Sequence, residues 1–89
     1  MARLHFTQNL RRHTACPDCA LAASTVAELL QRYFDDYPGV RGYVLDDQGG
    51  VRKHIKILVD GRNLSDRVKL ADALEETSEV YVFQALSGG

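Results

Sequence analysis

The sequence predicts a two-layer α+β domain, a mixed sheet of four to five strands covered on one face by one main helix. Three observations predict it. Short stretches at both ends and in the second half alternate apolar and polar residues, the period of a half-buried strand. A single long amphipathic stretch, residues 24–37, has the period of a helix. With 89 residues the chain is one domain, and one helix covers only one face of one sheet.

Taken in order, Leu4 and Phe6 alternate with His5 and Thr7 and read as the first strand. Arg11, Arg12, His13 and Thr14 make a polar connection, and Cys16-Pro17-Asp18-Cys19 falls in that loop. Ala20 to Ala23 is long enough for a short second strand, with poor propensity for it. The helix begins at Ser24 or Thr25. Thr25 and Glu28 have the spacing of a capping box, in which hydroxyl and carboxylate satisfy free amides of the first turn. Val26, Leu29, Leu30, Tyr33 and Tyr37 then form one apolar stripe, widened by Phe34, and Pro38-Gly39 ends it.

Val40 to Leu45 is a short apolar segment with room for a single helical turn, and Asp46 to Gly50 is a turn cluster. Ile55, Ile57 and Val59 alternate with His54, Lys56 and Leu58 as a third strand, whose outer face Leu58 makes partly apolar. Asp60-Gly61 is a hairpin signal, since a type I′ turn needs positive φ at both central residues. A short strand over Arg62 to Leu64 follows. Residues 65–79 are irregular, anchored by Val68, Leu70, Ala73 and Leu74; Val80-Tyr81-Val82-Phe83 is the last strand. The helix between strands two and three is the crossover that lets the sheet be mixed.

Composition excludes several functions. Eleven Lys and Arg against twelve Asp and Glu leave a net charge of -1, which argues against a nucleic-acid binder. No apolar run approaches the roughly 20 residues of a membrane span, and residues 1–12 have no apolar core of a signal peptide. A cytoplasmic protein with reduced thiols is the expectation. The sequence has no glycine-rich phosphate loop and no nucleophile elbow. Asp35-Asp36 and Asp46-Asp47 are sequence neighbours that do not face one site, and read as a solvated helix end and a turn start. The histidines lie on or beside different strands as surface residues.

Cys16-x-x-Cys19 is a weak metal candidate. With His13 it offers three zinc ligands, one short of a closed structural site, and the second Cys leads into a strand rather than opening the helix of a redox motif. The C-terminus is more informative. Gly88-Gly89 follows a strand and carries no Cβ, so residues 85–89 read as a flexible tail, after a domain of residues 1–84, that fits a channel too narrow for side chains. Its end is a carboxylate with little steric cover, suited to a reaction at the terminus itself.

The helix-bearing middle, the Ile55 to Gly61 strand and turn, and the run Val80-Tyr81-Val82-Phe83-Gln84-Ala85-Leu86-Ser87-Gly88-Gly89 together resemble the ubiquitin-like sulfur carriers of the MoaD/ThiS family. The resemblance spans nearly the whole chain and implies the β-grasp fold. It also implies a carrier and co-substrate rather than an enzyme, with no bound cofactor. A ThiF/MoeB-type adenylyltransferase would use ATP and Mg²⁺ to adenylate the Gly89 carboxylate. A sulfur donor, a desulfurase or rhodanese-type persulfide, would then displace AMP. The resulting thiocarboxylate would deliver sulfur to an acceptor enzyme in cofactor or sulfur-metabolite biosynthesis.

The resemblance places Gly88, Ser87 and Leu86 in the partner's channel and Phe83 and Tyr81 on the docking face. Asp72, Glu75, Glu76 and Glu79, four acids with no base among them, either steer docking or form a solvated surface. Cys16 and Cys19 are not part of the family pattern. The expected state is a monomer until a partner is met, with neither nucleic acid nor membrane bound. Two alternatives stay open: a ubiquitin-like modifier joined to lysine through Gly89, and a partner-binding β-grasp subunit with a metal or redox Cys16-x-x-Cys19 pair.

Overall fold

The computed structural model describes residues 1–6 and 17–84. The first strand, β1 (Ala2–Phe6), turns its alternate residues Ala2, Leu4 and Phe6 into the core. It pairs antiparallel with β2 (Cys19–Leu21), Leu4 standing opposite Cys19. The second strand thus starts one residue earlier and ends two earlier than Ala20 to Ala23. Cys19 belongs to the sheet and not to the loop, because pairing with Leu4 decides the matter where propensity is weak.

Helix α1 (Val26–Asp36) starts where the capping spacing places it. Thr25 Oγ1 accepts from the Glu28 amide at 3.1 Å. The Glu28 carboxylate reaches one residue further back than a standard box and accepts from the Ser24 amide at 2.7 Å. Val26, Leu29, Leu30, Tyr33 and Phe34 form its buried face, and Tyr37 is half-buried against the same core.

Pro38 does stop α1, but it also starts a second helix. Pro is barred from a helix interior for want of an amide, yet fits the first turn, where that amide has no partner. The result is α2 (Pro38–Val44), seven residues rather than one turn, which buries Val40 and Val44. Among the described residues the sheet is therefore covered by two helices rather than one.

Next come β3 (Ile55–Val59) and β4 (Arg62–Asn63), joined by the Asp60-Gly61 turn. Asp60 has φ 51 and Gly61 φ 83, the two left-handed positions of a type I′ hairpin. The last strand is β5 (Glu79–Gln84). It enters between β1, to which it is parallel, and β3, to which it is antiparallel, giving the order β2-β1-β5-β3-β4. The helical crossover carries the chain from one edge of the sheet to the other side and leaves the central slot for the C-terminal strand.

The segment before β5 departs from expectation at two anchors. Leu70 and Leu74 are buried, but Val68 is 73% exposed and Ala73 is also exposed. Asp66 organises this stretch. Its carboxylate accepts from the amides of Val68 and Lys69, and its carbonyl accepts from the amide of Leu70. The tight turn leaves Val68 at the tip and brings Leu70 inward with φ 54, a left-handed conformation that disfavours a side chain.

Candidate functional site

The last strand positions the candidate site. Val80 and Val82 face the helices and are fully buried, so Glu79, Tyr81 and Phe83 must face the other way, onto the side of the sheet that no helix of the described residues covers. Tyr81 is 42% exposed and Phe83 half-buried. Tyr81 lies between His5 of β1 and Leu58 of β3, and Phe83 lies opposite Lys56. Apolar surface flanked by a cation thus runs along the centre of the open face.

The Tyr81 ring is held in place. His5 stacks on it with centroids 4.5 Å apart and planes 20° from parallel. His5 is fixed in turn: Nδ1 lies 3.0 Å from Asp18 Oδ2 and Nε2 lies 3.1 Å from Glu79 Oε1. The other Asp18 oxygen accepts from the Phe6 amide at 3.2 Å. The side chains therefore tie the start of β2, β1 and β5 together beneath one exposed aromatic ring. An aromatic fixed in this way offers contact area at little entropic cost, the property of an interface anchor. Nothing in the sequence pattern marks this cluster except the outward register of His5 on its strand.

The predicted site residues divide. Tyr81 and Phe83 share the open face. Leu86, Ser87, Gly88, Gly89 and Cys16 lie outside the described residues, as does His13. The described chain stops at Gln84, which pairs with Ile55. Cys19 is a half-buried free thiol at the sheet edge. Among the described residues no group of three or more His, Cys, Asp or Glu stands together as metal ligands.

The acidic run does not act as one surface. Asp72 accepts from the amides of Ser65 and Asp66, both at 2.9 Å, and so closes a loop. Glu79 holds His5, while Glu75 and Glu76 are exposed. Asp60 is a further structural carboxylate beside β5. It accepts from the Glu79 amide and from the Ser78 hydroxyl, both at 2.9 Å, and these bonds hold its carboxyl below the usual carboxylate value. The amide of Lys69, helped by that of Val68, does the same for Asp66.

No helix among the described residues is long and apolar enough to cross a membrane. Comparison with known proteins agrees with the element order. The small archaeal modifier protein 3 of Haloferax volcanii is 32% identical over 66 residues, covering 74% of this chain and 71% of its own. The small archaeal modifier protein 1 of Methanosarcina acetivorans superposes with a TM-score of 0.79 at 22% identity, over 99% of this chain and 95% of its own. A chain of the Amycolatopsis orientalis BexX/CysO complex matches with a TM-score of 0.82 at 16% identity, over 100% of this chain and 100% of its own. These likenesses establish the ubiquitin-like β-grasp fold. The sequence model of the ThiS family matches residues 17–89, and the chain belongs to that family.

Proposed function

We propose that this protein is a sulfur carrier that reacts through the carboxylate of Gly89. The observation that carries the reading is the reach of the family match, which runs to Gly89 and so takes in Gly88-Gly89. In the proposed cycle a partner adenylyltransferase joins the carboxylate oxygen to the α-phosphorus of ATP, with Mg²⁺, and pyrophosphate leaves. A persulfide sulfur then attacks the activated carbonyl and AMP leaves. A thiol cleaves the resulting acyl disulfide, releasing the thiocarboxylate and forming a new disulfide. An acceptor enzyme takes up the sulfur.

In this reading the chain's own part is presentation. Leu86 and Ser87 line the partner's entry, Gly88 lets the backbone pass, and Tyr81 and Phe83 dock on the partner from the central strand that leads into these residues. The protein carries the reacting group and the partner catalyses, so no catalytic side chain is assigned here.

The test is a mass measurement on the C-terminal peptide after incubation with ATP, a ThiF/MoeB-type adenylyltransferase and a sulfur donor. Sulfur replaces one oxygen at Gly89, and alkylation traps the product and separates it from oxidation at Met1, Cys16 or Cys19. An unchanged terminus with active cognate enzymes overturns the reading. A second reading is favoured by the relative that is named a modifier: the activated Gly89 is attacked by a lysine amine of another protein. High-mass conjugates that vanish when Gly89 is deleted are its signature.

A further inference from the structure

The helical side of the molecule carries a second feature, unconnected with the open sheet face. A cavity of about 140 Å³ lies where α1, the exit of α2 and the Asp66–Leu70 turn meet. Leu30, Phe34, Leu45 and Leu70 line it, and Arg41 and Lys69 stand at it with exposed side chains. Cavities of roughly 150 Å³ hold a benzene ring. This one has room for one aromatic or branched aliphatic side chain.

The charged residues of its lining are both cations. Among the described residues neither Arg41 nor Lys69 makes an ion pair or a side-chain hydrogen bond. The carboxylates of the adjoining segments lie outside the lining and are oriented by other donors. Asp35 accepts from Gln31 Nε2, Asp46 from the amides of Gln48 and Gly50, and Asp66 from those of Val68 and Lys69. Lys69 does act on the charge of Asp66, but Asp66 is held by its own turn. Two cations therefore flank an apolar cavity in a chain of net charge -1.

The cavity wall also holds one of the two non-glycine residues with positive φ among those described. Leu70 takes φ 54, and its carbonyl accepts from the Ala27 amide at 2.8 Å. That conformation places the leucine in the wall and its neighbour Lys69 at the mouth. A side chain held in a disfavoured conformation at a cavity is an observation from which a site can be argued.

We propose that this cavity is a docking site for an acidic segment of a partner protein, which inserts one aromatic or branched aliphatic side chain between Arg41 and Lys69. Charge complementarity selects that occupant, and the apolar lining selects its anchor. The site lies across the sheet from Tyr81 and Phe83, so both faces can be engaged at once. It does not depend on the chemistry of Gly89.

The test is an NMR titration of the isotope-labelled full chain with a blocked pentapeptide, one phenylalanine flanked on each side by two aspartates. Saturable shifts of amides within residues 27–34, 41–49 and 69–70 are expected. Affinity should fall about ten-fold or more when the phenylalanine is replaced by alanine, and again in the Arg41→Glu/Lys69→Glu variant. Ala27→Leu fills the cavity from a half-buried helix position and should abolish binding with the rest of the spectrum preserved. Equal response to the alanine peptide, shifts on the sheet face, no saturation below about 5 mM, or unimpaired binding to Ala27→Leu each overturns the proposal. Should the charge reversal disturb folding, Ala27→Leu and the alanine peptide still decide.

Discussion

Ser78 is the buried polar side chain of the described residues, 2% exposed, and its neighbours show how the core accepts it. Its oxygen accepts from the Glu75 amide at 2.8 Å and its proton goes to Asp60. Asp60 in turn accepts from the Glu79 amide, so one relay ties the entry of β5 to the β3–β4 turn. Ser78→Ala leaves a backbone donor without its acceptor and should cost about 1–2 kcal/mol in urea unfolding, with the fold unchanged by circular dichroism. The carboxylates add a pH dependence of known sign. Asp60 and Asp66 are held below the ordinary value of 3.8 in the folded state, so the unfolded chain binds these protons more tightly. Their stabilisation is complete above the unfolded value and is lost as the pH falls through the lower folded values. Between about pH 5 and pH 2.5, an Asp60→Asn/Asp66→Asn variant should therefore lose less stability than the parent chain. An equal loss in both would sink the assignment. None of these roles was legible in the sequence, where Asp60 reads only as a turn residue and Ser78 as part of an irregular stretch.

At the scale of elements, glycine separates backbone from packing. Gly42 lies within α2 and Gly61 in the β3–β4 turn, and a Cβ added at either meets nothing within 4 Å. Only Gly61 has a left-handed φ, at 83. Gly42→Ala should stabilise by about 0.5–1 kcal/mol, since alanine loses less freedom in a helix. Gly61→Ala should destabilise by about 1–2 kcal/mol, since it forces a side chain into the left-handed region. Thermal unfolding of the two variants checks the opposite signs. The Asp60-Gly61 turn was legible because its residue types are those its dihedrals demand. So was α1, whose stripe and cap agree. By contrast, α2 was half-seen, because Pro38 stops one helix and starts the next with the same chemistry. Val68 was misplaced for a different reason. Local pattern makes it an anchor, but the Asp66 turn gives the inward position to Leu70, in a conformation no propensity favours.

At the scale of the whole molecule, the fold sorts six of its seven aromatic residues into two populations, the seventh being the exposed Tyr43 of α2. Phe6, Tyr33, Phe34 and the half-buried Tyr37 pack together on the helical side, with Tyr33 within 5.0 Å of Phe6 and 4.8 Å of Tyr37, centroid to centroid. Tyr81 and Phe83 lie on the other side of the sheet. The period of two along β5 made this division legible, since Val80 and Val82 claim the core. That His5, Asp18 and Glu79 clamp Tyr81 was not legible, because the parallel pairing of the first and last strands joins residues from opposite ends of the chain. The division gives a prediction about partner binding. Tyr81 is 42% exposed but stacks on His5 in the central strand, so Tyr81→Ala should cost about 1–2 kcal/mol of unfolding stability and leave the chain folded. If the open face docks the adenylyltransferase, the same substitution should weaken that complex about ten-fold or more, and Phe83→Ala should act with it. Titration calorimetry against thermal unfolding separates the two effects. Loss of affinity at a temperature where the variant is still fully folded places the partner on this face. Retained affinity in the double variant would instead leave the tail to bind alone, and the clamp on Tyr81 would then be a device of folding.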